Sequence, residues 1–319
     1  MSKRLLEFEQ PLSELYEKIA QLKQLSEDGD IQLEQEIERI ESRVETLKKE
    51  IYSNLTPHQV VQIARHLSRP DSTSLIQLIS KKYIPLHGDR LFRDDPSIVG
   101  GLVQIGTYRV MFIGHQKGHD TKENMYRNFG MPHPEGYRKA LRLMKMAEKF
   151  NLPIITFIDT PGAYPGLEAE ERGQAEAIAR NLKKMSSLKV PILTVVIGEG
   201  GSGGALAIGI CNYLMMLEYS VYSVISPEGC ASILFRDAKK ADIAAQNLKI
   251  TAKDILKLGI ADEIIKEPLG GGHNNWKKMA GSIKRALIKR LDHFSTLDSQ
   301  VLVDQRYQKF RVLGTAFKQ

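Results

Sequence analysis

Two uninterrupted apolar stretches, each followed directly by a glycine-containing loop, constrain the fold of this chain more than any other feature. They occupy residues 153–158 and 191–197. A strand with one face in water alternates apolar and polar side chains, whereas a parallel strand covered by helices on both faces is apolar throughout. Helix-type periodicity covers residues 135–150 and 168–185, so that each apolar stretch follows a helical segment. This alternation predicts an α/β domain with a buried parallel sheet.

Shorter strand patterns extend this core in both directions and place it within residues 98–272. The first two are separated only by Gly106-Thr107, a two-residue hairpin turn that begins with glycine. A helical segment follows Pro227. The strand patterns lie at residues 98–105, 108–114, 213–217 and 222–225.

The region before the core is helical and largely polar. In its second half, apolar side chains recur with the 4-3-4-3-4 spacing of a heptad seam. Such a stripe packs either on its own chain or on another chain, and the spacing leaves both open. We expect a helical hairpin over residues 1–55, a mixed connector over 56–97 and a basic helical tail over 273–319. The apolar side chains are Leu12, Leu15, Ile19 and Leu22 in the first helix, and Leu33, Ile37, Ile40, Val44, Leu47 and Ile51 in the second.

Composition narrows the class of protein. The 319 residues carry 45 Lys and Arg against 38 Asp and Glu, a net charge of +7 that favours anionic partners. The charge is dispersed and aromatic residues make up only 7%, which disfavours a nucleic-acid-binding scaffold. With only two cysteines, Cys211 and Cys230, a disulfide framework and a self-contained thiolate zinc site are excluded. Glu7 and Glu9 interrupt any apolar leader, so we expect a cytoplasmic protein without a membrane span.

The glycine-rich segment 198–204 follows a strand and opens a helix, and the residues alone leave several interpretations open. Its G-x-G-x-x-G spacing fits a dinucleotide-binding oxidoreductase, with Glu218 placed to contact a ribose. Its G-x-S-x-G spacing puts Ser202 in the nucleophile elbow of a serine hydrolase, with His273 as the downstream base. The glycines can also serve only to let a helix pack closely on a strand. Candidate acids for the hydrolase are Asp237, Asp254 and Asp262.

A second loop with accessible backbone favours a binding role for this region. Gly162-Ala163 comes shortly after the first apolar strand, which ends near Asp159. Two loops that follow neighbouring strands can direct their amides at one developing oxyanion. The pair of loops therefore predicts a site built from backbone N–H groups.

Six short runs of this sequence resemble the carboxyltransferase alpha subunits of the bacterial and plastid type of acetyl-CoA carboxylase. The resemblance extends from the N-terminal helices to residues 268–273. The strand at 190–197 and the Gly-Gly helix start also resemble the crotonase superfamily, whose fold is a spiral of ββα turns with an oxyanion hole of backbone amides. The resemblance implies a crotonase-like ββα spiral core preceded by an N-terminal helical hairpin. The runs are residues 127–132, 134–141, 158–166, 170–174, 198–204 and 226–230.

The resemblance also implies an activity and a set of partners. The family transfers the carboxyl group from carboxybiotin on the biotin carboxyl carrier protein to acetyl-CoA, forming malonyl-CoA for fatty-acid synthesis. The alpha subunit supplies the biotin side of a site that it shares with a zinc-bearing beta subunit in an α2β2 heterotetramer. A biotin carboxylase completes the ATP-dependent holoenzyme. No metal is expected in the present chain.

Matching the motifs residue by residue assigns the site to backbone groups. The amides of Gly203 and Gly204 correspond to the pair that faces the ureido oxygen of biotin. We expect glycine at these positions because a Cβ would narrow the approach of the ureido ring. The surrounding pocket backbone comprises Gly162, Ala163, Gly200 and Gly201.

Few side chains add to this site. Lys117, Lys122 and Arg127 are expected to contact CoA phosphates or a partner subunit, or to remain in solvent. His115 and His119 are four residues apart but have no third ligand nearby, so they do not predict a metal site.

Overall fold

The structure is a computed structural model that describes residues 5–25 and 31–314, except for the side chain of Ile31. The strands are β1 (Lys82–Pro85), β2 (Ile98–Ile105), β3 (Tyr108–His115), β4 (Ile154–Thr160), β5 (Ile192–Gly201), β6 (Tyr213–Leu217), β7 (Val221–Ser223) and β8 (Glu263–Ile265). The helices are α1 (Ser13–Leu25), α2 (Ile31–Ser53), α3 (Pro57–Ala64), α4 (Ser72–Ile79), α5 (Thr121–Tyr126), α6 (Pro134–Lys149), α7 (Leu167–Glu171), α8 (Gln174–Ser187), α9 (Ser202–Leu206), α10 (Pro227–Phe235), α11 (Ala241–Leu248), α12 (Ala252–Lys257), α13 (Trp276–Phe294) and α14 (Ser299–Arg311).

The strands form one mixed sheet in the order β1-β2-β3-β4-β5-β6-β8, and β7 pairs with the last residues of β5. The first three strands are antiparallel, and the strands from β3 to β8 run parallel to their neighbours. The predicted hairpin is confirmed, since Ile105 lies opposite Tyr108. Gly106 adopts a φ of +59° in its turn, a value that glycine reaches without strain.

Strands β4 and β5 are buried on both faces, as their apolar sequences predict. Side chains alternate between faces along a strand, so Ile155 and Phe157 share one core cluster while Ile154 and Ile158 lie in another. Helices α4 and α13 cover the first face, and α6 covers the second with contributions from α8 and α12. The predicted buried parallel sheet of an α/β domain is therefore confirmed.

Two elements differ from the sequence prediction in ways that matter at the site. The helix predicted over 168–185 is interrupted at Gly173, whose φ of +81° separates α7 from α8. The segment 198–201, predicted as loop, continues β5. Both glycines pair with β7, and their missing side chains leave room for Tyr222 of β7 beside Gly200 and for the backbone of Pro161 beside Gly201.

The apolar stripes of α1 and α2 pack on each other, so the seam is used within the chain. Ile19 of α1 and Ile40 and Val44 of α2 are buried in one cluster. The predicted turn at residues 26–30 lies outside the described residues. Tyr52 ties α2 to the rest of the molecule, because its hydroxyl lies within donating distance of Glu9 Oε1 (2.8 Å) and of the carbonyl oxygen of Gly270 (3.1 Å).

The last helix is held by a buried guanidinium. Arg306 is 1% exposed and donates to the carbonyls of Met185, Leu188 and Val190 at 2.7–3.0 Å. It also donates to Asn212 Oδ1 at 2.7 Å. These bonds fix α14 against the start of β5. Within the described ranges, no helix combines the length and the apolar character that crossing a bilayer requires.

Candidate active site at the ends of strands β4 and β5

The structure brings the two glycine loops into direct contact. A Cβ built on Gly204 would lie 2.5 Å from the carbonyl carbon of Gly162 and 2.6 Å from the nitrogen of Ala163. Contacts this short with backbone atoms are not tolerated, so only glycine allows α9 to pack on the loop that follows β4. Of the predicted site residues, Gly162, Ala163, Gly203 and Gly204 therefore lie together.

The structure gives a reason for the glycine at position 204 that the sequence did not indicate. Its missing side chain leaves room for the neighbouring loop, and the effect of a Cβ on the approach of a ureido ring stays a prediction. Gly203 differs, because a Cβ there would meet only Ile178 Cδ1 at 3.8 Å, an ordinary contact. The open side of the loop is therefore at Gly203.

Backbone donors remain unused at this point of the fold. Helix α9 starts at Ser202, and the amides of its first turn have no preceding carbonyls in helical register. Within the part of the chain that the structure describes, the N–H groups of Gly203, Gly204 and Ala163 donate to no protein acceptor. The amide of Gly162 is occupied, since it donates to Thr160 Oγ1 at 3.1 Å. The site thus offers free N–H groups that can donate hydrogen bonds to an oxygen with a developing negative charge.

Gly200 and Gly201 serve packing and also border a small cleft. A Cβ on Gly200 would lie 2.2 Å from Tyr222 Cδ2, and one on Gly201 would lie 2.1 Å from the carbonyl oxygen of Pro161. The cleft of about 30 Å³ is lined by both glycines, by Arg65 and by the start of α10.

Beneath the loops lies a chain of ion pairs, which we call the strand-end network and which comprises Arg65, Lys117, Asp159, Glu199 and Glu228. Lys117 Nζ lies 2.8 Å from Asp159 Oδ1 and 2.8 Å from Glu199 Oε2. Arg65 Nε lies 2.5 Å from Glu199 Oε1, and its Nη1 lies 2.7 Å from Glu228 Oε1. Asp159 also accepts from the amide of Glu199 at 3.0 Å. The network joins the ends of β4 and β5 through Lys117, which follows β3, and Arg65, which follows α3.

Glu199 and Lys117 of the strand-end network stay ionised. Burial opposes the charge of Glu199, but Lys117 and Arg65 outweigh it and lower the pKa of Glu199 to about 2. Burial likewise acts against the charge of Lys117, yet Asp159 and Glu199 raise the pKa of this lysine above its usual value. Glu199 is therefore unsuited to act as a general base, since its proton affinity is low.

His115 is fully buried behind the glycine loop, against the backbone of Gly204 and Phe157. Burial lowers its pKa to about 3, so the imidazole is neutral at physiological pH. His119 lies apart and forms an ion pair with Asp71 at 2.6 Å, which raises its pKa to about 9. Among residues 5–25 and 31–314, no group of three or more His, Cys, Asp or Glu side chains is arranged to hold a metal ion.

The three basic residues predicted near the site have different surroundings. Lys117 is enclosed in the strand-end network. Arg127 donates to the carbonyl of Pro96 at 2.7 Å and lies 3.5 Å from Glu123, so most of its donors are directed inward. Lys122 is exposed on α5. Of these three residues, it is the one whose side chain is accessible for the predicted contact with a phosphate or a partner.

The structure does not assemble the alternative motifs. Glu218, the proposed ribose ligand, accepts from Lys266 Nζ at 2.5 Å and from the amide of Glu267 at 3.2 Å. Ser202 is exposed on α9, while His273 stacks on another imidazole beside α3 at 4.0 Å between ring centroids. The candidate acids each bind a backbone amide instead. Asp237 accepts from the amide of Lys239, Asp254 from that of Thr251, and Asp262 from that of Leu214.

Sequence reasoning missed Arg65 and Arg69, which lie in the segment taken as a connector. Arg69 is 5% exposed, donates to the carbonyl of Ile197 at 2.6 Å and forms an ion pair with Glu267 at 2.6 Å. Its partners are distant in sequence, and no local pattern identifies them. Both arginines lie after the end of α3, in a segment without a helical or strand period that could have indicated them.

Solved structures share this arrangement of sheet and helices. A Pseudomonas malonate decarboxylase hetero-tetramer in complex with coenzyme A superimposes with a TM-score of 0.60 and 15% identity over 80% of this chain and 98% of that chain. Transcarboxylase 12S superimposes with a TM-score of 0.59 and 19% identity over 76% of this chain, which spans 46% of that chain. At these identities the likeness concerns the fold alone, and it confirms the predicted crotonase-like α/β architecture.

Sequence comparison identifies the family. The model of the family described as acetyl co-enzyme A carboxylase carboxyltransferase-like matches residues 5–314. The acetyl-coenzyme A carboxylase carboxyl transferase subunit alpha of Geobacter metallireducens is 54% identical over 97% of this chain and 97% of its own length. The Thermus thermophilus subunit of the same name is 53% identical over 97% of this chain and 98% of its length. The chain belongs to the acetyl-CoA carboxylase carboxyltransferase alpha family, and the predicted carboxyltransferase function is confirmed.

Proposed function

We propose that the free amides of Gly203 and Gly204 form the oxyanion site for carboxyl transfer from carboxybiotin to acetyl-CoA, which yields malonyl-CoA. The observation that carries this proposal is the pair of unpaired N–H groups at the start of α9, on a loop fixed by the contact of Gly204 with Gly162. Preorganised donors of this kind stabilise a developing charge, and removing one typically costs about 3 kcal/mol of transition-state stabilisation.

The donors suit the ureido group of biotin. When bound, carboxybiotin would supply CO₂ and, once its N–CO₂ bond has broken and left the electron pair on the ureido group, a ureido nitrogen able to accept a proton from the methyl group of acetyl-CoA. The amide of Gly203 donates to no acceptor among the described residues, and a Cβ at this position would meet only Ile178 Cδ1 at 3.8 Å, so a planar ring has room beside it. The residues of this chain bind and orient the reacting groups, and the strand-end network keeps both loops in place while Glu199 remains ionised.

Exposed apolar side chains around the loops support a site that is completed by another subunit. Leu206 follows the free amides and is 38% exposed, Leu167 is 71% exposed, and Val224 is 77% exposed. Covering such groups is favourable by about 25 cal/mol per Å² of apolar surface. We propose as partners the zinc-bearing carboxyltransferase beta subunit in an α2β2 heterotetramer, the biotin carboxyl carrier protein and biotin carboxylase, all in the cytoplasm.

The reverse reaction tests the proposal. The purified chain is mixed with malonyl-CoA and a soluble biotin derivative, with and without the beta subunit, and acetyl-CoA release is followed. We expect activity only in the mixture. Activity in neither sample, despite a demonstrated complex, would refute the assignment.

Ser202→Ala separates this chemistry from hydrolysis. The serine is exposed and bonded to no histidine within the described residues, so the variant should keep carboxyl transfer within about twofold of the wild type. Complete loss of activity in an assembled complex would instead favour a serine nucleophile.

A further inference from the structure

The inner face of helix α8 carries two buried amide side chains behind the glycine loops. Buried residues recur at positions 174, 177 and 181, a spacing of three and four that places them on one face of the helix. Two of them are polar, since Gln174 is 8% exposed and Asn181 is 0% exposed. Between them, Ala177 packs in one cluster with Ala163 of the first loop and with Ala207, which follows α9. Two carboxamides therefore lie on a face that packs against both loops.

Gln174 holds the first glycine loop. Its Nε2 donates to the carbonyl of Tyr164 and to that of Pro132, at 2.9 Å in each case. Tyr164 directly follows Ala163, and its own amide donates to the same Pro132 carbonyl at 3.0 Å. Among the described residues, no backbone amide donates to the carbonyl of Tyr164. The side chain of Gln174 therefore supplies the donor that fixes this end of the loop.

Asn181 holds the second glycine loop in the same way. Its Nδ2 donates to the carbonyl of Tyr137 in α6 and to that of Ala207 after α9, both at 3.1 Å. The amide of Ala207 in turn donates to the carbonyl of Gly203 at 3.0 Å. That carbonyl and the N–H group of Gly204 belong to one planar peptide unit. Through a single intervening residue, Asn181 therefore fixes the direction of the Gly204 N–H group.

The amide groups of both side chains are used for their donors. Gln174 Oε1 and Asn181 Oδ1 are buried and accept no hydrogen bond from any described residue. A buried acceptor without a donor costs free energy of folding, and an apolar side chain at either position would not carry this cost. Each NH2 group nevertheless bridges a loop carbonyl and a carbonyl in or just before α6. The bonds to the loops therefore account for polar side chains on this face.

We propose that Gln174 and Asn181 are positioning residues, which hold the amides of both glycine loops in the orientation that carboxyl transfer requires. This role rests on the proposed function. Glycine allows a wide range of backbone conformations, so a site built from glycine amides needs an outside support to keep them in one direction. The support matters for the rate, because a misplacement of about 1 Å can cost about 100-fold.

Kinetics of the assembled enzyme test this role. Asn181→Leu and Gln174→Met keep side chains of comparable size but remove the donors. In the reverse reaction, each should lower kcat by about 10- to 100-fold and leave KM for malonyl-CoA within about twofold, because the amides act on charge that develops in the transition state. Arg306→Met is the matched control, since it removes buried hydrogen bonds to carbonyls near the opposite end of α8, away from the loops. It should keep the wild-type kcat at a temperature where all the variants are folded.

Site-resolved hydrogen exchange of the full chain measures the support of the loops without catalysis. Under conditions of local opening, the amide of Ala207 should exchange at least about 10-fold faster in Asn181→Leu than in the wild type. The amide of Tyr164 should respond in the same way to Gln174→Met, while Arg306→Met leaves both amides unchanged. Asn181→Ala, which adds no bulk, gives the same comparison if the leucine variant does not fold.

A loss of stability alone would overturn the positioning role. This outcome is a kcat within about twofold of the wild type, or a loss of kcat no larger than that of Arg306→Met, in folded and assembled variants. Unchanged exchange of both amides would overturn it as well. If the wild-type complex transfers no carboxyl group while the exchange of Ala207 and Tyr164 still responds, the proposed function fails and the support of the loops by α8 stands.

Discussion

Replacing Lys117 by methionine tests whether the strand-end network holds the site together. Methionine keeps much of the apolar length of lysine but removes the cation between Asp159 and Glu199. The pKa of Glu199 is lowered from 4.5 to about 2, a difference worth about 3 kcal/mol of folding free energy at neutral pH. Breaking one partner of a buried ion pair costs about 3–5 kcal/mol. We therefore expect Lys117→Met to lower the free energy of unfolding by about 3 kcal/mol.

The sign of the pH dependence follows from the direction of this pKa. Because the pKa of Glu199 is lower in the folded state, its contribution to stability is complete above its unfolded pKa and is lost as the pH falls toward about 2. The stability difference between wild type and Lys117→Met should therefore be largest at neutral pH and shrink on acidification below about pH 5. Urea unfolding over a pH series, followed by fluorescence and circular dichroism, measures it.

Lys122→Met is the matched control, since it removes an exposed lysine from the following helix. It should change the free energy of unfolding by less than about 0.5 kcal/mol. A difference for Lys117→Met below about 1 kcal/mol, or one that does not vary with pH, would refute the role of the network as the device that joins β4 and β5.

Three further predictions address other parts of the fold. Gly204→Ala should destabilise the protein by about 1–3 kcal/mol because the new Cβ meets backbone atoms, whereas Gly203→Ala should retain wild-type thermal stability. Similar melting temperatures for the two variants would contradict the packing argument. Arg306→Met should lower the free energy of unfolding by about 3 kcal/mol, since it leaves buried carbonyls without donors. A loss under about 1 kcal/mol in urea unfolding would exclude the role of Arg306 in holding α14. The pKa of His119 is raised to about 9 in the folded protein. The stability lost in His119→Gln should therefore be greatest below the unfolded pKa of histidine and vanish as the pH rises through about 9. A stability difference between wild type and variant that grew with pH would contradict this.

Local patterns made much of the fold predictable. The apolar stretches that became β4 and β5, the turn at Gly106 and the stripes of α1 and α2 each depend on residues that are near one another in sequence. The adjacency of the two glycine loops also followed, because both come after neighbouring parallel strands. The meeting of the two loops that carry the proposed backbone site was therefore within reach of sequence reasoning.

The parts that escaped prediction depend on distant residues. Arg65 meets Glu199 across 134 positions, and its charge gives no hint of that partner. The edge strand β1 lies between proline-containing segments and has only four residues, too few for a periodic signal. The residue type at Gly204 was anticipated, but its cause was not, because a sequence does not show that another backbone occupies the space of the absent Cβ.

The long reach of the strand-end network has a consequence for the order of folding. Its bonds join α3 to groups that follow by 134 and 163 residues, so the network closes only after most of the sheet has formed. Such non-local contacts slow folding, since the entropy of a large loop is lost before the contacts are gained. The helices α1 and α2, which contact each other locally, can form early. Catalytic competence should therefore emerge late in refolding, after the bulk of the helical circular dichroism signal has recovered.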